Sequence, residues 1–452
     1  MKNIVIVGGG ISGLALLHYL KQRYKDQTDV YITLLERQEV LGGTIQSVCK
    51  NQIIFETGPN GFLNNQPRTL GLIEELGLQD SLVKADAQAK IRYVSLNNTL
   101  HPLPTSPLSF LMFSLLNPLE KLRFFCEPFI SKSHNDEESV FDFGKRRFGH
   151  RFAQLVLDPM VSGIYGGDAH KISLKEGFPK IYQWEQSYGS LFRAAFSIKK
   201  ERRKSGLSKT ALHSFREGMG ELIYALGLRY HHDIHLNQEA INITRDARQY
   251  YIQTEAGQYV ADEVFVCAPA YAATGMLSGL DPELTVLLDQ IYYAPLAVVG
   301  LTYNKSAFTK TPKGFGYLIP STENKKVLGV LIESNIFQHR CAQDQMVLRV
   351  MIGGARHPDI LRFPKEEIIS MALDEVARTF SARQEPVGQV VMLWKNAIPQ
   401  YDNHYAAVKV KIKDQLKKHP RLHLVANYYG GISLNDCIEN AYQAANQGDI
   451  YE

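Results

Sequence analysis

The first 36 residues spell a strand, a glycine turn, a helix and a second strand in that order, and few folds accept such a beginning. Ile4-Val5-Ile6-Val7 is a wholly apolar run of strand length, and Gly8-Gly9-Gly10-Ile11-Ser12-Gly13 follows it without a gap. Ile11, Leu14, Leu17 and Leu20 then recur at three-residue steps and predict a helix, while Tyr31 to Leu35 reads as a second buried strand ending in Glu36. Each glycine has a physical task in a dinucleotide-binding unit. Gly8 permits the tight turn, Gly10 lets backbone amides approach a pyrophosphate, and Gly13 lets the helix pack closely on the strand. Ile11 and Ser12 open the helix, where unpaired N–H groups and the helix dipole favour negative charge. Glu36 stands 23 residues after Gly13, at a strand end where a carboxylate can accept both ribose hydroxyls and repel a 2'-phosphate.

Arg37 and the pair Gly42-Gly43, followed by Thr44, come directly after that acid. A second glycine pair brings another backbone turn close to the same ligand, which suits a long cofactor lying extended beneath the loop. This segment resembles the glycine-rich continuation of FAD-containing amine oxidases, phytoene desaturases and protoporphyrinogen oxidases, and the resemblance implies FAD as cofactor.

A chain of 452 residues, 45% hydrophobic and 21% charged, is long enough for two or three domains. A net charge of +4 is too mild to indicate nucleic acid. The five cysteines are scattered with no Cys-x-x-Cys, which argues against a disulfide framework and against a metal site. Met1-Lys2-Asn3 runs straight into the first strand, so a cytoplasmic protein is expected, and no apolar run reaches the roughly 18 to 20 residues that span a bilayer. Leu103 to Ile130 is rich in Leu and Phe with Lys121 and Arg123 among its few charges. It reads either as an amphipathic helix lying in a membrane interface or as a buried helix pair, and Phe110 and Phe113 are the residues on which the two readings differ.

The elements alternate along the chain in a way that predicts interleaved domains of α/β class. Residues 1–88 carry the first nucleotide-binding segment and 89–210 a helical one, in which the charged run Lys199 to Lys204 is expected as a solvated loop. Residues 211–285 return to strands, at Tyr230 to Ala240, Tyr250 to Thr254 and Val264 to Ala268. Residues 286–396 give four strands with short loops, at Ala297 to Tyr303, Gly316 to Ile319, Val327 to Ile332 and Met346 to Ile352, as in an antiparallel sheet. Residues 397–452 close with a strand, Leu422 to Ala426, then Gly430-Gly431 and a helical pattern over Asn435 to Asn446 that can bring one more helix N-terminus to the cofactor.

Further segments make the resemblance specific. Phe55-Glu56-Thr57-Gly58-Pro59-Asn60-Gly61-Phe62, Gly163-Ile164-Tyr165-Gly166-Gly167-Asp168, Gly314-Phe315-Gly316-Tyr317-Leu318-Ile319-Pro320, Ala397-Ile398-Pro399-Gln400-Tyr401 and Leu434-Asn435-Asp436-Cys437-Ile438 occur in this order. In order and approximate spacing they resemble the FAD-dependent, oxygen-using protoporphyrinogen oxidases over nearly the whole chain. The resemblance implies a Rossmann-like FAD-binding domain built from discontinuous segments, an antiparallel-sheet substrate domain, and a mainly helical domain that contacts a membrane peripherally, with a homodimer compatible with it. It implies cofactor contacts at Gly8, Gly10, Ile11, Ser12, Gly13, Glu36, Arg37, Gly43, Thr44, Gly58, Pro59, Asn60, Ala240, Ile432, Ser433 and Leu434. It places Asn60 near the reacting carbon of the macrocycle and Arg92 on a substrate propionate, a carboxylate suited to a guanidinium. Gly163, Phe315, Leu318, Leu331, Met351 and Ile398 would line a pocket for a flat apolar ring system.

The implied reaction removes six hydrogens from a porphyrinogen in three two-electron steps at the flavin, with oxygen as the final acceptor and peroxide released. No acid or base stands out. Coproporphyrinogen III oxidation is the neighbouring alternative, since Arg92 fits either substrate. Amine oxidases and carotenoid desaturases share the flavin segments without the Gly-Pro-Asn turn and Ile-Pro-Gln-Tyr together, and proteins that bind prenylated GTPases share the fold without flavin chemistry.

Overall fold

The computed structural model describes residues 1–205 and 210–447. Its first layer is a five-stranded parallel sheet in the order Ile234–His235, Val30–Leu35, Lys2–Val7, Glu263–Val266, Leu422–Leu424. The central strand is the first in the chain, and its two neighbours lie more than 200 residues apart in sequence, so the sheet exists only when separate segments meet. Alternation decides which core each residue joins. Ile4, Ile6, Ile32 and Leu34 pack beneath the helices Ile11–Arg23 and Leu434–Gln447. Val5, Val7, Leu35, Val264 and Val266 pack on the opposite face with Ala270–Leu277 and Pro282–Asp289. A parallel sheet covered on both faces reads as continuous apolar runs, which is why these strands were legible.

The second layer is a seven-stranded sheet in the order Gly388–Pro399, Tyr293–Asn304, Gln345–Gly353, Val327–Ile332, Gly316–Leu318, Arg92–Leu96, Thr99–Pro102. It is antiparallel except where Gly316–Leu318 runs parallel to Arg92–Leu96. Residues 92–102 therefore belong to this sheet and not to the helical segment to which sequence pattern assigns them. Two short strands joined by Asn97-Asn98, both with positive φ, carry no long periodic signal to set them off from the helices that begin at Pro107. Ala297, Val299, Leu301, Leu348, Val350 and Ile352 face the helix Lys365–Phe380. Leu296, Val298, Val347 and Met351 face the other way, toward Phe55 and the parallel-sheet half.

Helices fill residues 107–205, from Pro107–Leu111 and Pro118–Phe125 to Leu191–Ser205. Ser106 with Ser109, and Asn117 with Glu120, form reciprocal caps that start the first two. The charged run Lys199 to Lys204 continues the last helix instead of forming a loop, because Lys, Arg and Glu are good helix formers. Tyr230 to Ala240 also departs from expectation: Tyr230 caps the helix Gly220–Arg229, a 3₁₀ turn spans His231–Asp233, and only Ile234–His235 is strand before Asn237 enters the left-handed region at φ 55°. Leu103 to Ile130 holds two short helices and a 3₁₀ turn with apolar residues on both sides. Phe110, Phe113 and Leu116 are buried together, whereas Leu108, Leu111, Met112, Leu119, Leu122 and Phe129 are exposed. Among the described residues no helix is long and apolar enough to cross a membrane.

Candidate active site

Four stretches of backbone converge on one groove. Gly8 takes φ +112° with its amide donating to the Leu35 carbonyl at 2.8 Å, and this bend turns the chain from strand into helix. Gly13 is required by contact: a Cβ there would lie 2.0 Å from the Gly8 carbonyl oxygen. Gly10 differs, since a Cβ there would meet nothing within 4 Å, so this side of the loop faces open space at the helix N-terminus, next to Ile11 and Ser12. Glu36, 9% exposed, accepts from the Gly9 amide at 2.6 Å and from the Gln38 amide at 2.9 Å, which fixes its carboxylate beside the glycine turn.

The second glycine pair docks on the first. The Gly42 amide donates to the Gly9 carbonyl at 2.9 Å, and Gly43, at φ +58°, lies against the Gly10 Cα. Thr44 is exposed, and its carbonyl packs so tightly on Gly58 that a Cβ at that position would fall 1.8 Å from the oxygen. Arg37 is exposed at the groove's end near Tyr271. Ala240 is buried in the loop whose Gln238 amide donates to the Glu36 carbonyl at 2.8 Å. Ile432, Ser433 and Leu434 lead into the last helix, which Ser433 caps by accepting from the Asp436 amide at 3.1 Å, and Ser12 reaches Cys437 on its first turn. The Gln400 and Tyr401 side chains hold this corner: Gln400 donates to the Tyr165 carbonyl at 2.8 Å, and the Tyr401 hydroxyl accepts from the Gly431 amide at 2.9 Å. Amides and helix ends in the middle, with a carboxylate at one end and an apolar wall at the other, suit an extended dinucleotide cofactor.

That apolar wall is the inner face of the seven-stranded sheet. Cross-strand register puts Arg92, Gly316, Leu331, Arg349 and Gly300 in one row, with Val94, Leu318, Gly329, Met351 and Val298 in the next. The Arg92 guanidinium lies over the Phe315 ring at 4.6 Å, and Gly163 meets Leu318 so closely that a Cβ would be 2.8 Å from its methyl. Arg92, Gly163, Phe315, Leu318, Leu331 and Met351 are thus brought together. Ile398 stands apart, packed on the parallel-sheet core beyond a bulge between Ala294 and Leu296.

The Thr57-Gly58-Pro59-Asn60 turn rests on this face. Phe55 fills the space over Gly300, Trp394 Nε1 donates to the Thr57 carbonyl at 3.0 Å, and Arg349 Nη2 donates to the Gly58 carbonyl at 2.5 Å. Asn60 Nδ2 is buried with no hydrogen-bond partner among the described residues, and the Asn60 carbonyl accepts from Arg340 Nη2 at 3.3 Å. Beneath the turn Arg340 pairs with Glu56 at 3.1 Å, and Glu333 lies 3.7 Å from Arg340 and 3.8 Å from Arg349. Burial raises the Glu56 carboxyl above its ordinary value and lowers the Arg349 guanidinium below its own. Trp394, Arg340 and Glu333 carry no motif that singles them out in the sequence, whereas Glu56 stands inside the Phe55 to Phe62 segment. Arg349 leaves one local trace, a lone charge inside the apolar strand Met346 to Ile352.

Comparison with known proteins agrees with this layout. The profile of the family "Flavin containing amine oxidoreductase" matches residues 11–447. Protoporphyrinogen oxidase 2 of Arabidopsis thaliana is 29% identical, the alignment covering 98% of this chain and 93% of that one. Coproporphyrinogen III oxidase of Bacillus subtilis (strain 168) is 28% identical over 100% of this chain and 98% of the relative. Among solved structures, a protein of Exiguobacterium sp. 255-15, whose description proposes a protoporphyrinogen oxidase, superimposes with a TM-score of 0.84 at 23% identity over 98% of both chains. Reduced UDP-galactopyranose mutase shares the fold, with a TM-score of 0.73 at 13% identity over 98% of this chain and 95% of the other.

Proposed function

This chain belongs to the family of flavin-containing amine oxidoreductases, and from that premise we propose that it oxidises protoporphyrinogen IX to protoporphyrin IX in heme biosynthesis. It is an FAD-dependent oxidoreductase, and FAD when bound supplies the two-electron chemistry, taking hydride from carbon. The observation that carries the substrate reading is Arg92. Among the described residues no carboxylate pairs with it, partial burial lowers its pKa from the ordinary value, and it remains an exposed residue at the margin of an apolar sheet face. A cation so placed is suited to one carboxylate on an otherwise flat apolar molecule.

The residues divide the work. Gly10, Gly43 and the helix starting at Ile11 bind the pyrophosphate, and Glu36 holds the ribose. Leu318, Leu331, Met351 and Gly163 orient the macrocycle and exclude water, Arg92 anchors a propionate, and Asn60 Nδ2, buried with no hydrogen-bond partner among the described residues, faces the substrate. Oxygen is the final acceptor, and peroxide is released. The exposed apolar residues of 108–129 dock on a membrane from which a poorly soluble substrate is collected. The coproporphyrinogen III reading is favoured separately by the Bacillus subtilis relative, aligned along nearly its whole length.

The test is porphyrin fluorescence from the FAD-loaded protein with each porphyrinogen. Faster turnover of protoporphyrinogen supports the assignment, faster turnover of coproporphyrinogen replaces it with the second reading, and turnover of neither refutes both. Gly10→Val checks the groove on its own: its side chain has open space to occupy and the fold survives, but FAD is lost.

A further inference from the structure

We propose that Arg349 is a positioning residue, which holds the Gly58-Pro59-Asn60 turn against the substrate sheet and so sets where the Asn60 amide lies relative to cofactor and macrocycle. The inference rests on the porphyrinogen reading for its catalytic readout and on geometry alone for the rest. Arg349 stands in the same cross-strand row as Arg92, with Gly316 and Leu331 between them. Three strand spacings separate the two, roughly 14 Å, so one carboxylate cannot bridge them. Arg349 is also 7% exposed and occupied: its Nη2 donates to the Gly58 carbonyl. It is therefore not a second anchor for the same propionate, and its charge is directed at the turn.

The neighbours of Arg349 point the same way. Glu56, Arg340 and Glu333 are fully buried around it, and the group joins three parts of the chain that are distant in sequence. Glu56 lies two residues before Gly58 and accepts from the Met219 amide at 2.8 Å and from Ser47 Oγ at 2.7 Å. Arg340 donates to Ser214 at 2.9 Å. Glu333 and Arg349 come from the substrate sheet and the segment after its Val327–Ile332 strand. A purely stabilising cluster would be expected to satisfy its members, since a buried unpaired polar atom costs free energy. Here both oxygens of Glu333, Nε and Nη1 of Arg340 and Nε of Arg349 lack hydrogen bonds among the described residues, while the carbonyls of Gly58 and Asn60 are served. Donors of both arginines go to the turn, and Glu333 is left short while Glu56 keeps Arg340, Met219 and Ser47. Trp394 grips the same turn from the neighbouring side through the Thr57 carbonyl.

Arg349→Met, Arg349→Lys and Trp394→Phe are to be compared with the parent protein, all loaded with FAD. A displacement of reacting groups by about 1 Å can cost up to about a hundredfold in rate. The expected outcome for Arg349→Met is a fall in kcat of about tenfold or more, a KM within about threefold, and an altered visible flavin spectrum in the resting enzyme. Arg349→Lys, which keeps a donor for Gly58, recovers part of kcat, and Trp394→Phe shifts kcat and spectrum in the same direction by less. The proposal is overturned if kcat and spectrum stay at the parent values in folded Arg349→Met, or if both Arg349 variants unfold while Trp394→Phe is unchanged in both readouts. Should the parent turn over no porphyrinogen, the functional reading fails by itself, and an unaltered spectrum in Arg349→Met and Trp394→Phe would still refute the positioning role.

Discussion

Arg147, in the helical segment, and Arg349, on the substrate sheet, are both buried arginines with acids close by, yet they are held in opposite ways. Arg147 Nε donates to Glu185 at 2.6 Å, and its Nη1 donates to the Glu127 carboxylate at 3.1 Å and the Ile130 carbonyl at 2.9 Å. Glu127 in turn accepts from Ser190 Oγ at 2.5 Å and from the Leu191 amide at 2.9 Å. Around Arg349 the nearest acid, Glu333, has no hydrogen bond to either oxygen among the described residues. One network joins both acids to the cation and ties helices together, although Arg147 Nη2, close to Glu185, makes no hydrogen bond among the described residues. The other is open, and its best bond goes to a backbone carbonyl in the site. A guanidinium cannot shed its charge, and the two open oxygens of Glu333 make the Arg349 group the less self-contained of the two.

The largest effect should come from breaking the Arg147 network. Arg147→Met leaves Glu127 buried without its cation and Glu185 with Arg146 alone, which costs about 3–5 kcal/mol, whereas the groove for FAD is built from other segments. Urea unfolding of the FAD-loaded variant measures this. A loss of less than about 1 kcal/mol would show that the two networks are not different in kind.

Arg92 extends the contrast to a third arginine, an exposed one with no acid paired to it among the described residues. Arg92→Ala should leave the melting temperature close to the parent value, because no pair is broken, yet weaken substrate binding by about 1.5–3 kcal/mol, the value of a charged hydrogen bond. The effect belongs in KM. An unchanged KM, or a protein that melts early, would return Arg92 to the class of structural arginines.

A buried histidine supplies the opposite limit, since it can lose its charge. His18 is fully buried on the helix after the glycine turn, with Nε2 2.6 Å from Glu75 and Nδ1 2.8 Å from the Tyr230 hydroxyl. Burial lowers its pKa and outweighs Glu75, which raises it. In the unfolded chain it titrates near about 6.5, so below that pH the unfolded state binds the extra proton. Its stability contribution is present in full above about pH 6.5 and is lost as pH falls toward the lower folded value, by at most about 1.4 kcal/mol per pH unit. His339 and His357 are lowered by burial too and act in the same direction. Melting temperatures from about pH 8 to 5 should fall on the acid side, and less steeply for His18→Gln; equal slopes would assign the acid loss to the other groups.

The parts legible in the sequence are those written in local patterns. Strand, glycines, helix and Glu36 fall within one stretch of chain, and the tasks of Gly8 and Gly13 follow from φ and contact. The register that aligns Arg92 with Leu331 and Arg349 is set by pairing between distant strands, and the link from Glu56 to Arg340 joins residues far apart in the chain, so neither has a local signal. Strand boundaries near Arg92 have no strong local signal either, a two-residue asparagine turn being too short to mark a domain. In Leu103 to Ile130 the difficulty was different: apolar residues occupy both sides of short helices, so periodicity does not say which side faces inward. The structure assigns Phe110 and Phe113 to the inside and Met112 and Leu119 to the outside.

With Phe110 and Phe113 inside, the membrane test falls on the outer residues of the helical region that Arg147 ties together. Met112 is 70% exposed and Leu119 76% exposed, and both lie on the outer side of the small core formed by Phe110, Phe113 and Leu116. Met112→Glu with Leu119→Glu places carboxylates in water, so stability should change by no more than about 0.5 kcal/mol. If this face docks on a lipid surface, the same two charges remove apolar area from the contact and add repulsion from anionic headgroups. Flotation with vesicles containing anionic lipid should then show clear loss of binding with the melting temperature unmoved. Phe110→Glu is the control, because it buries a carboxylate in the aromatic core and should lower the melting temperature sharply. Undiminished flotation of the Met112/Leu119 variant, while it stays folded, would remove the membrane from the proposed function and leave the outer apolar residues to be explained by another partner.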